Sequence, residues 1–256
     1  RTRTSPLIIA ALLLAAAPAG AEPRYAWSPA APAGTLEARL EPPPGFTRTP
    51  AEPGSWSEWL RSLPMKAVGA PVLTHTGAPK WRQDVHEAVI DIDVGKRDLQ
   101  QCADAIMRLR AEWLYAAGRT GEIGFNYTDV KRRAYSRSTK GGYPGFRKYM
   151  DQVFAYAGTY SLDRELKAAR VEELKVGDVF IKGGFPGHAV LVADMALNGK
   201  GQTRFLLVQS YMPAQEMHVL KNPNSADGSP WYGTDFGEQL VTPEWTFTRQ
   251  QLKRWP

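Results

Sequence analysis

A single cysteine, Cys102, is the only thiol in this chain of 256 residues, so no disulfide can close within it. Histidine is almost as scarce. His75, His86, His188 and His218 are dispersed, with no pair at a metal-ligand spacing, which argues against a zinc centre. Asp91 and Asp93 fall on one side of a predicted strand and are candidates for a cation, but no third ligand lies near them in sequence. No metal and no cofactor is expected. Basic runs interleaved with aromatics are missing, so nucleic acid is not an expected partner.

The chain opens on its longest apolar run. "RTRTSPLIIAALLLAAAPAGA" has two arginines, a short alanine-rich apolar stretch and the small-residue pattern Ala19-Gly20-Ala21. Residues 1–21 therefore read as a secretory signal peptide, and the run is too short to span a bilayer comfortably. The expectation is an exported protein, periplasmic or extracellular, with no stable membrane anchor once the signal is cleaved. The formal charge of +6 less the two arginines leaves +4, compatible with anionic envelope polymers as neighbours. Cys102 is too far from the cleavage site to be a lipid-bearing N-terminus.

What remains is 43% hydrophobic and 23% charged across the chain, which suits one large domain better than two small ones. Residues 22–54, rich in Pro, Ala and Gly, read as an extended, poorly structured lead-in, and 55–256 as a single domain. Ser55 with Glu58 forms a capping-box pattern opening a short helix that Pro64 stops. Residues 85–95 read as a strand ended by Gly95. The longest helix follows, with Asp98 as N-cap, Gln101 completing the box and Gly118 closing it. Its apolar positions Leu99, Cys102, Ile106, Leu109 and Trp113 form one stripe. Residues 123–145 look like a surface loop, 146–158 and 161–169 like helices. Strands are expected at 178–182, 188–196, 203–212 and 216–222, then a loop-rich tail. Helices first and an antiparallel meander second is an α+β arrangement.

Three residues draw attention as chemistry. Cys102 falls in the first turn of its helix, where unpaired N–H groups and the positive dipole end favour a thiolate, although it also belongs to the apolar stripe. His188 starts a strand, "HAVLVAD", that is apolar on both faces and therefore central; a histidine there is either a satisfied core residue or half of a catalytic pair. The following hairpin puts Gln209 beside it. A turn at Asn198-Gly199 makes His188 face Gln209 directly. A loop of Asn198 to Gly201 makes it face Tyr211, with Gln209 one diagonal step away on the same face. Gln209 then either orients the imidazole or is a plain core amide. Asp104 lies on another helical face and reads as an N-terminal helix charge.

A cysteine at a helix N-terminus, a histidine at a strand start and a polar residue on the next antiparallel strand is the layout of the papain-like fold. "LKVGDVFIKGGFPGHAVLVAD" resembles the strand-loop-His-strand segment of NlpC-type cell-wall hydrolases, whose cysteine sits in an Asp-Cys-Ser-like context rather than Gln101-Cys102-Ala103-Asp104. More closely, "QQCADAIMRLRAEWLY", "GGFPGHAVLVADMA", "LLVQSYMPAQEMHVLKNP" and "PWY" resemble an uncharacterised bacterial family, domain of unknown function 4846, over roughly residues 40–250. The hydrolase resemblance implies a papain-like α+β domain with a cysteine-bearing helix packed on an antiparallel sheet. It also implies a thiol hydrolase acting on amide bonds of peptidoglycan-like peptide, with Cys102 as nucleophile, His188 as base and Gln209 as orienter. Gln101 or Gln100 would add an oxyanion donor, and Tyr211, Trp231 and Tyr232 would line a substrate groove or else be packing aromatics. A non-catalytic envelope binding module on the same scaffold, and acyl transfer or ester hydrolysis by the same pair, are the competing expectations.

Overall fold

The computed structural model of the chain describes residues 24–28, 34–136 and 141–256. The predicted signal segment, 1–21, lies outside them. No helix among the described residues is long and apolar enough to cross a membrane.

The architecture is α+β around a large antiparallel sheet. Along the chain come α1 (Leu36–Arg39), β1 (Phe46–Arg48), α2 (Trp56–Arg61) and β2 (His86–Val89). Then follow α3 (Cys102–Ala116), β3 (Gly124–Asn126), β4 (Arg132–Ala134), α4 (Gly142–Tyr156), α5 (Thr159–Glu165) and β5 (Lys167–Ala168). The second half is strands: β6 (Val179–Lys182), β7 (His188–Asn198), β8 (Thr203–Gln209), β9 (His218–Leu220), β10 (Tyr232–Gly233), β11 (Gln239–Val241), β12 (Thr246–Thr248) and β13 (Leu252–Arg254).

The sheet runs β2-β9-β8-β7-β6-β13-β5, and β1 and β10 attach to the turn end of the β7–β8 hairpin. Both faces of β7 are covered, as its composition predicts. Ala189, Leu191 and Ala193 join the core beneath the helices, and Val190 and Val192 join a second core with Phe205, Leu240, Phe247 and Leu252. The β11–β12 hairpin closes that second side, so a run with no polar alternation is satisfied on both.

Register decides what His188 meets. Near the turn, Leu197 pairs Thr203 and Asp194 pairs Leu206. Past an irregularity between Val192 and Asp194 the pairing becomes Val192 with Leu207 and Leu191 with Val208. One extra residue, Ala193, is spent on β7 there, as in a bulge. The register leading toward His188 is therefore the second of the two expected, with Gln209 on the diagonal.

Several sequence expectations need correction. Residues 34–54 are not a poorly structured lead-in: Leu36 is fully buried and Phe46–Arg48 pair with Ala196–Asn198, so the folded unit starts before residue 55. Arg48 and Arg61 cause this. Each places its Nε 2.6 Å from the fully buried Asp194 carboxylate, fastening β1 and α2 to β7. The strand expected over 85–95 is only four residues long, because Ile90 bridges Met65 and Asp93 turns toward Arg108. Within 123–145 there is a β3–β4 hairpin, and α4 already begins at Gly142. The tail is not merely loop: β13 inserts between β5 and β6.

Candidate active site

Cys102 is the first residue of α3, and the cap is Gln101 rather than Asp98. The backbone N–H of Gln101 donates to the Asp104 carboxylate at 3.1 Å, which starts the helix. Asp98 does different work. Its Oδ1 accepts from the Ala214 N–H at 2.6 Å and the Gln101 side-chain amide at 3.0 Å, tying the helix start to the turn after β8. The backbone amides of Ala103 and Ala189, with that of Cys102 itself, favour the ionised form of the thiol. Ala189 is the neighbour of His188, so α3 brings the thiol to the beginning of β7.

The expected thiolate preference is not what this site displays. Burial first, and the Asp104 carboxyl second, push the thiol up to about 12, so the resting group is a neutral thiol. Desolvation outweighs the N-terminal amides because only 7% of Cys102 is exposed. Asp104 is no solvated helix charge either. It is itself buried, and its carboxyl is held well above the usual range by desolvation.

His188 is 1% exposed, walled by Tyr211, Trp245 and Phe247 at ring separations of 4.7, 5.4 and 5.9 Å. Its Nε2 lies 2.9 Å from Gln209 Oε1. The Gln209 Nε2 lies 2.7 Å from Glu244 Oε2 and 3.2 Å from His218 Nε2. Glu244 in turn holds the buried Lys80 ammonium at 2.6 Å. Burial, followed by the nearby Lys80 charge, depresses the His188 imidazole to about 4, leaving it neutral near pH 7. His218 is lowered to about 3, with desolvation the largest cause.

A cleft of about 560 Å³ opens over the start of α3. Gln101, Cys102 and Asp104 line it from the helix, Gly184 to Gly187 from the loop before His188, and Met212 from the turn after β8. Gln101 is thus at the cleft. Gln100 does not line it: its side chain is fully buried, with Oε1 accepting from Arg108 at 2.7 Å. Tyr211 stands against His188, but Trp231 and Tyr232 line a separate cavity. Their polar ends are occupied: Trp231 donates to Glu41 O at 2.9 Å and Tyr232 to Lys221 O at 2.5 Å. The Asp91/Asp93 cation idea also falls. Asp93 is paired with Arg108 at 2.7 Å, and no group of three metal-ligating side chains occurs among the described residues.

Lys80 and Glu244 carried no motif signal in the sequence, and His218 showed there only as a dispersed histidine of a probable strand. They come from three separate segments with no motif spacing between them. The one signal was compositional: a Glu inside "TPEWTFT", a tail segment that ends up packed on the sheet.

No curated protein and no solved structure matches the chain. One family does, over residues 36–144 and 137–254, which together take in the sheet, α3 and the cleft. The chain belongs to the family described as domain of unknown function 4846.

Proposed function

We propose that this protein is an exported thiol hydrolase that cleaves an amide bond in cell-envelope peptide, with a papain-like arrangement of its reactive groups. One observation carries the reading: the His188 imidazole is held by Gln209 at 2.9 Å at the beginning of β7, and the loop immediately before it lines the same cleft as Cys102. Cys102 and the four residues before His188, Gly184 to Gly187, line that one cleft together.

In this reading substrate enters the cleft and displaces water. The Cys102 proton passes to the unprotonated Nδ1 of His188 as the sulfur bonds to the scissile carbonyl carbon. The oxyanion accepts from the Cys102 N–H and the Gln101 side chain. His188 then returns the proton to the leaving amine as the C–N bond breaks. Water, deprotonated by His188, hydrolyses the thioester, releasing the acid and restoring the thiol. The resting pair is neutral because burial opposes charge on either member. Proton transfer creates two opposite charges, whose attraction in dry surroundings offsets part of that cost.

The buried, protonated thiol favours a second reading, a binding module without turnover on the same scaffold. Peptide release from purified peptidoglycan separates the two. The expected result is thiol-dependent release that Cys102→Ser and His188→Ala both abolish, alongside slow iodoacetamide labelling at pH 6 to 8 that still accelerates above pH 9. Peptidoglycan binding with no release in the unaltered protein would overturn the hydrolase in favour of the module, and release that survives Cys102→Ser would remove the thiol from the chemistry.

A further inference from the structure

We propose that Glu244 and His218 are positioning residues that set the proton on His188 through the Gln209 amide, with Lys80 holding Glu244 in orientation. Donors and acceptors around the amide fix its orientation. Glu244 carries the Lys80 ammonium 2.6 Å from its Oε1, so it is ionised and can only accept. The atom of Gln209 that lies 2.7 Å from Glu244 Oε2 must therefore be the amide nitrogen. His218 imposes the same choice. Its Nδ1 faces the Glu216 carbonyl at 2.9 Å and must carry a proton, which leaves Nε2 as a lone pair at 3.2 Å from the Gln209 nitrogen. Both partners of the amide demand N–H, and the carbonyl is left to face His188.

That carbonyl accepts only, so His188 carries its proton on Nε2 and keeps Nδ1 as a lone pair. The reversed amide would set oxygen against the Glu244 carboxylate and against the His218 lone pair. It would also turn a Gln209 N–H toward His188, which would move the imidazole proton to Nδ1. A base needs a free lone pair, and this tautomer leaves one on Nδ1. The catalytic consequence rests on the hydrolase reading above; the tautomer does not.

Isostere exchange tests the relay. In Glu244→Gln, Lys80 claims the new carbonyl oxygen and leaves an NH₂ facing the Gln209 NH₂, donor against donor. The expected response is that a measurable fraction of Gln209 turns over and the His188 proton shifts from Nε2 to Nδ1. Nitrogen-15 NMR of histidine-labelled protein at pH 7 reads this directly. Unaltered protein is expected to hold His188 as the Nε2–H form and His218 as the Nδ1–H form. Peptide release by Glu244→Gln is expected to fall by about 10²–10⁴-fold in kcat with little change in KM. Lys80→Met added to Glu244→Gln frees the new amide to turn its oxygen toward Gln209 and is expected to restore both readouts. A His188 proton on Nδ1 in the unaltered protein overturns the proposal without any variant. So does an unchanged His188 tautomer in Glu244→Gln. If the tautomers respond as expected in a protein that releases no peptide, the relay stands and the hydrolase reading alone fails.

Discussion

His188 and His218 are both buried as neutral rings, and that choice has a pH signature. Their imidazoles are depressed to about 4 and about 3, with desolvation the largest cause in each. The unfolded chain, with ordinary imidazoles near pH 6.5, takes up protons that the fold refuses. The stabilising contribution is therefore complete above about pH 6.5 and is lost as pH falls toward 4 and then 3. A depression of this size corresponds to roughly 3 kcal/mol or more per ring. Asp104 and Glu112, raised by burial, act in the opposite sense, so the histidine effect is best read as a difference. Calorimetric Tm measured from pH 7 to 4 should fall less steeply in His218→Gln than in the unaltered protein. Parallel curves would mean that His218 is not kept neutral by the fold. Nothing around His218 in the sequence distinguishes it from an ordinary strand residue, because its side-chain partner Gln209 is brought to it only when β8 and β9 pair, and the Glu216 carbonyl two residues before it is a backbone group.

The loop before β7 is the element that aims His188. Gly187 packs so closely that an added Cβ would meet Thr159 Oγ1 at 2.3 Å, Lys182 O at 2.6 Å and Gly184 O at 2.7 Å. Two of these are backbone, so the loop rather than a side chain must yield. Gly187→Ala should cost about 1–3 kcal/mol and shift the start of β7. Urea unfolding gives the first quantity, and chemical-shift changes at Ala189 report the second; an unperturbed spectrum with unchanged stability would refute the close approach. The glycine was visible in sequence as part of a turn, but not its neighbours, since Thr159 belongs to α5. The start of α3 teaches the same lesson. Asp98 has the chemistry of a cap and the right spacing to Gln101, yet a partner from residue 214 claims its carboxylate and the helix begins four residues later.

At the scale of the whole molecule, Asp194 joins the N-terminal segment to the sheet. Its carboxylate is fully buried, accepts from Arg48 and Arg61 at 2.6 Å each and from its neighbouring Met195 N–H at 2.8 Å. Those arginines also donate to Leu40 O and Thr49 O, so one residue organises α1, β1 and α2 on β7. Removing the charge leaves two guanidiniums under-satisfied, one of them buried. Asp194→Asn is expected to lose about 3–5 kcal/mol, read as a lower urea midpoint. It should also make the 34–54 segment cleavable by trypsin at low enzyme concentration. Protection equal to that of the unaltered protein would show that the clamp is not what secures the segment. Proline and alanine in this stretch suggested a free leader, because composition reports how little the segment can bury by itself and is blind to a carboxylate 146 positions away.

The sequence alone settled which strand is central, since a run with no polar face can lie only between two apolar layers, and it singled out Cys102, His188 and Gln209 by type and order. It also settled the family. The protonation state of the thiol, the orientation of the Gln209 amide and the partners behind it were decided by tertiary structure only. Those properties depend on desolvation and on hydrogen bonds between distant segments, and neither leaves a local pattern in the chain.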